Sequence, residues 1–219
     1  MTFLMAVMTA VGVQLLKHHA RHHSKADTSS VHFNFDELNY DAMPDIAYVG
    51  WFVGGAGCLG VYSLLALLPS IGVFFEFPKS QIGSITAAIY FIQAATGLSL
   101  MKSKTWMFRA APAVSFTSCG LVSMACLVIA LMPFAGKIIL LSVSLRTLSL
   151  YGLAIFYGVF SGAFYFELVF YSLIHPSRSA RYVAINEMVV GISGVAGPII
   201  AGFAADTFGF LAYPAMLTI

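Results

Sequence analysis

Charged side chains are scarce in this sequence. Lys, Arg, Asp and Glu together make up 9% of its 219 residues, whereas a soluble domain carries roughly 25%. Apolar residues reach 59%, and the mean hydropathy is +0.88. So few charges cannot cover the surface of a water-soluble fold of this length. We therefore predict an integral membrane protein with an all-α, polytopic helix bundle in the lipid bilayer.

Catalytic and cysteine patterns are also missing. The three cysteines form no C-x-x-C pair. Cys119 and Cys126 fall on one predicted helix, roughly 10 Å apart along its axis, which is too far for a disulfide. The sequence has no H-E-x-x-H, P-loop or G-x-S-x-G pattern, and its predicted spans contain no Asp and no central His. We expect no enzymatic activity, no cofactor, no metal and no nucleic-acid partner.

Long apolar runs dominate what is present. A helix needs about 20 mostly apolar residues to cross a bilayer, and five segments meet or approach this length: about 47–74, 82–101, 108–133, 148–174 and 182–205. We predict a bundle over 47–219 that ends in a truncated helix, 208–219. Residues 1–16 are predicted to be a partial transmembrane helix. A signal peptide is the alternative for 1–16, but its basic residues follow the apolar run instead of preceding it. We expect a piece of a longer membrane protein, cut inside one helix at each end.

Basic residues indicate the orientation of the bundle. Cytoplasmic loops collect Lys and Arg, and placing the polar segment 17–46 in the cytoplasm puts eight basic residues inside and three outside. The inside residues would be Lys17, Arg21, Lys25, Lys102, Lys104, Arg109, Arg178 and Arg181, and the outside residues Lys79, Lys137 and Arg146. We therefore predict a cytoplasmic linker loop over 17–46.

Histidines cluster at the start of that loop, which reads KHHARHHSK. Imidazole is a common metal ligand, while a basic segment beside a membrane also contacts anionic headgroups. No Cys or acidic ligand is interleaved with the histidines, so the sequence favours headgroup contact over a metal site.

Small residues form a stripe in segment 182–205. At 100° per residue, Glu187 shares one helix face with Gly191, Gly194, Pro198 and Gly202. Small residues allow membrane helices to approach closely, and a proline loosens a helix by removing one hydrogen bond. We predict helix packing at these residues and at Gly197, either as a static contact or as part of a moving element.

Residues 170–210 resemble a region of the major facilitator superfamily, that of its tenth to twelfth helices. The matching marks are Gly197-Pro198, Gly202, Asp206 and Gly209. Residues 62–91 look like the seventh helix, the outer loop and the eighth helix of that family, with Leu68-Pro69 and Gln81-Ile82-Gly83 as marks. One loop departs from the family pattern, because GLSLMKSKTWMFR contains basic residues but no Asp.

The resemblance implies the C-terminal six-helix half of a twelve-helix transporter. It implies secondary active transport of a small solute by alternating access, with the N-terminal half as a partner and protons as a candidate coupling ion. The alternative is a structural or assembly subunit that does not transport, because a six-helix half alone need not do so. No repeated filter-like loop supports a channel.

Polar residues inside the spans are the candidate site. Glu167 is predicted to lie among apolar and aromatic residues within 148–174, where it could be protonated reversibly or pair with a cationic substrate. A structural hydrogen bond to a facing helix is the alternative. Thr86, Tyr90 and Gln93 share one face of segment 82–101 with Gly97 and would line a cavity. Tyr62 of the preceding segment could join them.

Glu187 is the second carboxylate of interest. It follows Arg181 by six residues and would lie near the cytoplasmic interface. We predict that it pairs with Arg181, Arg178 or another loop cation and latches the inner ends of helices. Such a pair is either a static contact or a gate that breaks when the transporter opens.

Overall fold

Five long helices make up most of the described chain. The computed structural model describes residues 47–102, 110–140, 142–173 and 179–211. The helices are α1 (Ala47–Phe74), α2 (Lys79–Met101), α3 (Ala110–Leu131), α4 (Leu145–Leu173) and α5 (Ser179–Phe208). All five are long and apolar enough to cross a membrane, in agreement with the predicted all-α bundle of membrane-spanning helices. The predicted segments 1–16 and 17–46, and residues 212–219 of the predicted segment 208–219, lie outside the described residues.

The helix ends differ slightly from the predicted spans. Helices α2, α4 and α5 each begin three residues earlier than predicted, and α5 continues to Phe208. The first turns of these helices contain polar residues, which lower the hydropathy although the backbone there is already helical. Between α3 and α4 the chain forms a 3-10 helix, Pro133–Gly136, and two antiparallel strands, β1 (Ile139–Leu140) and β2 (Val143–Ser144).

Helix α4 lies at the centre of the bundle. It packs against each of the other four helices, while α1 pairs most extensively with α5. Within the span of α4, 61% of the residues are buried, against 17% for α2 and 22% for α5. The largest fully buried side chains are Leu64, Leu68, Ile71, Ile85, Ile89, Leu127, Leu150, Leu153 and Leu168.

Arg146 joins the loops at one end of the bundle. Its Nε donates a hydrogen bond to the Ala130 carbonyl at 2.9 Å and its Nη2 to the Met132 carbonyl at 3.1 Å. The first is a carbonyl in the last turn of α3, which has no partner within the helix, and the second belongs to the residue just after α3. The guanidinium lies 3.8 Å from the centroid of the Phe75 ring, just after α1. The α1–α2 and α3–α4 connections therefore share one end, as alternating spans require.

Helix α1 ends in a turn that usually takes glycine. The Phe77 N–H donates to the Gly72 carbonyl at 2.9 Å, and the Glu76 N–H donates to the Val73 carbonyl at 3.2 Å. This is the Schellman pattern, whose left-handed residue is here Glu76 at φ 56°. Helix α5 ends with Gly209 at φ 76°. The two helix ends thus meet the same backbone requirement with different residues.

Candidate solute pocket between helices α2 and α4

A pocket opens between α2 and α4. Its volume is about 420 Å³, which lies within the ~300–1,000 Å³ range of small-molecule sites. Tyr90 lies near the middle of α2 and Met101 at its last residue, so the pocket extends from mid-helix to that end. The lining residues are Tyr90, Gln93, Ala94, Gly97 and Met101 of α2 and Gly162, Tyr165 and Phe166 of α4.

Two glycines of α4 hold α2 against it beside the pocket. A Cβ at Gly162 would lie 2.6 Å from the Gln93 carbonyl oxygen, and one at Gly158 would lie 2.8 Å from Cβ of Ile92. Both distances are too short for any side chain, so the two backbones touch here. The spacing Gly-x-x-x-Gly places both glycines on one helix face.

The pocket exists because small residues of α2 face rings of α4. Nothing lies within 4 Å of where a Cβ at Gly97 would stand. Ala94, one turn earlier, carries only a methyl group. The rings of Tyr165 and Phe166 form the opposite wall.

Few polar groups are directed to the pocket. Oε1 of Gln93 accepts a hydrogen bond from the Ser161 hydroxyl at 3.4 Å. No hydrogen bond within the described ranges uses the amide nitrogen of Gln93, so its N–H groups remain as donors. The Tyr165 hydroxyl is engaged behind the pocket, where it accepts from the Cys58 thiol at 3.7 Å and interacts with Tyr62. The lining residues include no charged side chain.

The structure brings together part of the predicted polar face. Tyr90, Gln93 and Gly97 line the same pocket. Thr86 does not, and its hydroxyl donates to the Ile82 carbonyl of its own helix at 3.0 Å. Tyr62 is not a lining residue either, but it interacts with the lining residue Tyr165. The pocket therefore includes Tyr90 and Gln93 of the predicted α2 face but not Thr86, and Tyr62 contacts only its lining residue Tyr165.

Glu167 is buried but lies on another side of α4. Only 7% of its surface is exposed, and its neighbours Phe160 and Phe164 are buried as well. It follows the pocket residue Tyr165 by two positions, or about 200° around the helix. Glu167 is accordingly not among the lining residues. The structure separates the carboxylate from the Tyr90–Gln93 face, with which it was expected to share a cavity.

The packed face of α5 differs from the predicted stripe. A Cβ at Gly197 would lie 2.9 Å from the Leu59 carbonyl oxygen of α1. At Gly194 the nearest atom, in the Tyr62 ring, is at an ordinary 3.6 Å. At Gly191 and Gly202 no other part of the described chain comes within 4 Å. Of these predicted packing residues, Gly197 therefore lies against α1, while packing at Gly191 and Gly202 stays a prediction.

The reason is the orientation of α5 about its own axis. Its buried residues are Tyr182, Asn186, Ser193, Gly197, Ala201 and Ala204. This face lies roughly a third of a turn from the predicted stripe and leaves Pro198 only partly buried. Helix α5 stays continuous through Pro198. The contact with α1 uses a serine, a glycine and an alanine four residues apart, which is the small-xxx-small pattern.

Two serines, which sequence reasoning missed, hold α1 and α5 together. The Ser63 hydroxyl of α1 donates to the Gly197 carbonyl of α5 at 2.8 Å. In return, the Ser193 hydroxyl of α5 donates to the Gly55 carbonyl of α1 at 3.1 Å. Hydroxyl-to-backbone bonds of this kind join membrane helices. The signal available in the sequence was the spacing of Ser193, Gly197 and Ala201.

Of the predicted latch partners of Glu187, the structure describes Arg181. Glu187 and Arg181 are both exposed, and no ion pair joins them in the described part of the chain. Six positions on one helix separate two side chains by about 240°, so they face different directions. Arg178, the other predicted partner, lies outside the described residues. The contact between α1 and α5 at this end is instead aromatic, with the Trp51 and Tyr182 rings edge-on at 5.3 Å.

Sequence reasoning also missed most of the α4 wall. Gly162, Tyr165 and Phe166 were not singled out, although GVFSG, residues 158–162, carries the Gly-x-x-x-Gly spacing. The likeness to the major facilitator superfamily rests on short motifs and on the order of the helices. No known protein family, no curated protein and no solved structure matches this chain.

Proposed function

We propose that this protein carries a small solute across a membrane by alternating access, as the C-terminal half of a transporter resembling the major facilitators. The supporting observation is the pocket between α2 and α4, which opens on the side of an apolar bundle and is lined by the uncharged polar residues Tyr90 and Gln93. Transporter sites lie near the bilayer midplane between moving halves. One end of this pocket lies at Tyr90, near the middle of α2.

The uncovered helices support a partner half. Helices α2 and α5 are the least buried of the five, and 51% of the Tyr90 side chain is exposed beside the pocket. An N-terminal half packed on these faces would close the pocket into a cavity between two bundles. The stripe at Gly191 and Gly202, which is open within the described chain, would then be available for that contact.

Orientation is part of the same proposal. The positive-inside rule favours an orientation with Lys102 and the start of α1 in the cytoplasm and Lys79 outside. The pocket would then lie in the cytoplasmic half of the bundle.

Glu167 is the candidate for proton coupling. An ionised carboxylate in the apolar core is costly, so a buried one tends to be protonated or paired. Because it faces away from the pocket, Glu167 would not touch the solute. It would act by changing how α4 packs on its neighbours, next to the contact of Leu168 with Gly54 of α1.

Transport can be tested without knowing the solute. The intact protein would be reconstituted into lipid vesicles, incubated with a cell extract, and the vesicle contents compared by untargeted mass spectrometry. We expect at least one small solute to accumulate with the wild-type protein and not in empty vesicles. Ala94→Phe fills the pocket and should abolish accumulation. Ala95→Phe, an exposed position outside the lining, should preserve it.

The alternative is a non-transporting assembly subunit. In that case the vesicles would show no solute that depends on the protein. Accumulation that is equal in the Ala94→Phe and Ala95→Phe variants would separate transport from this pocket and contradict the proposal.

A further inference from the structure

We infer that the pocket between α2 and α4 binds an uncharged, mostly apolar solute that contains an aromatic or other planar ring and a hydrogen-bond acceptor. This inference rests on the proposed function for its biological meaning, since it names the class of solute that would be carried. The binding itself can be tested without transport.

The described lining disfavours charged solutes. None of the eight described residues that line the pocket is Asp, Glu, Lys, Arg or His. Taking a charge out of water into such a site without a partner costs several kcal/mol. Glu167, the buried carboxylate of α4, is turned about 200° away from Tyr165. Neither an anion nor a cation therefore meets a counter-charge among the described lining residues.

The shape of the walls favours a planar ring. Tyr90 contributes a ring from α2, and Tyr165 and Phe166 contribute rings from α4. Aromatic pairs stabilise each other in stacked or edge-to-face arrangements beyond their buried area. Met101 closes the end with a flexible thioether, which contacts ring edges favourably. Ala94 and Gly97 leave a smooth floor on which a flat molecule can lie.

The polar groups select an acceptor. Oε1 of Gln93 accepts from the Ser161 hydroxyl at 3.4 Å, whereas its amide N–H groups have no partner among the described residues and are open donors. The Tyr165 hydroxyl interacts with Cys58 and Tyr62. A solute oxygen or ring nitrogen placed near Gln93 would accept from its amide. The Tyr90 hydroxyl can serve as a second donor or as an acceptor.

A matched set of naphthalene compounds tests the inference. N-phenyl-1-naphthylamine, which fluoresces in apolar sites, is titrated against the protein in lipid nanodiscs, with empty nanodiscs as background. The competitors are 1-naphthol, naphthalene-1-sulfonate and 1-naphthylmethylammonium, which share one ring system and differ in charge. We expect saturable probe binding that 1-naphthol displaces. The two ions should compete at least roughly tenfold more weakly, as a cost of about 1.4 kcal/mol requires.

Variants locate the binding. Ala94→Phe should weaken probe binding at least roughly tenfold, while Ala95→Phe should leave it within about twofold. Gln93→Leu should weaken competition by 1-naphthol, because the amide donor is lost. Binding of the probe itself should change little, since the probe contacts the aromatic rings. Equal competition by either ion, or equal binding by the two phenylalanine variants, would overturn the inference. Saturable, charge-selective binding without any solute accumulation in vesicles would instead reject the proposed function and leave this inference in place.

Discussion

Helices α4 and α5 have nearly the same length, 29 and 30 residues, and both carry spaced glycines, yet they pack differently. Helix α4 is 61% buried over its span and α5 is 22% buried. The glycines of α4 at 158 and 162 are closed against the backbone of α2, whereas Gly191 and Gly202 of α5 face open space within the described chain. Glycine spacing thus permits close contact between helices, and whether that contact forms depends on the neighbouring helix.

The surrounding residues explain the difference. Around Gly158 and Gly162 the other positions carry bulky side chains such as Phe160, Phe164 and Tyr165, so only one narrow face permits a close approach. In α5, small residues occupy more than half of the circumference. Several faces could then receive α1, and the one chosen contains Ser193 and Gly197, which form and receive hydrogen bonds.

The largest difference in stability is expected between a glycine substitution in α4 and one in α5. Gly162→Leu places a side chain where the Gln93 carbonyl oxygen already lies 2.6 Å from the Cβ position. We expect a loss of about 3 kcal/mol or more in the free energy of unfolding, since overpacking against backbone cannot relax easily. Gly202→Leu should change it by less than about 0.5 kcal/mol. Denaturation with sodium dodecyl sulfate in mixed micelles measures both.

If Gly162→Leu prevents folding, Gly162→Ala gives the same comparison at a smaller scale. A similar stability for Gly162→Leu and Gly202→Leu would contradict the close contact between α2 and α4.

A second comparison lies within α5 itself. Gly197→Leu meets the Leu59 carbonyl oxygen at 2.9 Å and the Ser63 hydroxyl at 3.1 Å, so we expect about 2 kcal/mol of destabilisation. Gly191→Leu, on the originally predicted stripe, should be tolerated by the folded bundle. The same unfolding assay applies. The reverse order would mean that the predicted stripe, and not the Ser193–Gly197–Ala201 face, packs on α1.

The smallest effect concerns the helix ends and has the opposite sign. Glu76 ends α1 with φ 56°, where a side chain is strained, whereas α5 ends with Gly209 at φ 76°. Glu76→Gly should therefore stabilise the protein by about 0.5–1 kcal/mol. Gly209→Ala should destabilise it by a similar amount. Thermal unfolding of the purified variants measures both shifts, and destabilisation by Glu76→Gly would show that the Glu76 side chain makes a contact that outweighs the strain.

Hydropathy predicted the five helices because burying apolar length in a bilayer is a local property of each segment. The central position of α4 and the packed face of α5 depend on which helices meet, and that information is distributed over the whole chain. Tyr90 and Gln93 were found because polar residues at helical spacing are unusual in a span. Tyr165 and Phe166 were missed because rings in an apolar helix look the same whether they face a pocket, a neighbour or lipid.

Glu167 also shows what cannot be predicted from the sequence alone. Its apolar neighbours predicted that it is buried, but burial does not indicate which neighbouring helix or pocket its side chain faces. Only the positions of Gly162 and Tyr165 against α2 fix which side of α4 faces the pocket, and Glu167 falls on a different side. Its proposed coupling role accordingly acts through helix packing and not through contact with the solute.

Two-sided accessibility of the pocket tests the central claim most directly. In a variant without Cys58, Cys119 and Cys126, Ala94→Cys would be exposed to a membrane-impermeant maleimide from each side of sealed, oriented vesicles. The account predicts modification from both sides in separate experiments. Under the same conditions Lys79→Cys should react only from the outside and Lys102→Cys only from the cytoplasmic side. Modification of Ala94→Cys from one side alone, or from neither, would contradict alternating access through this pocket.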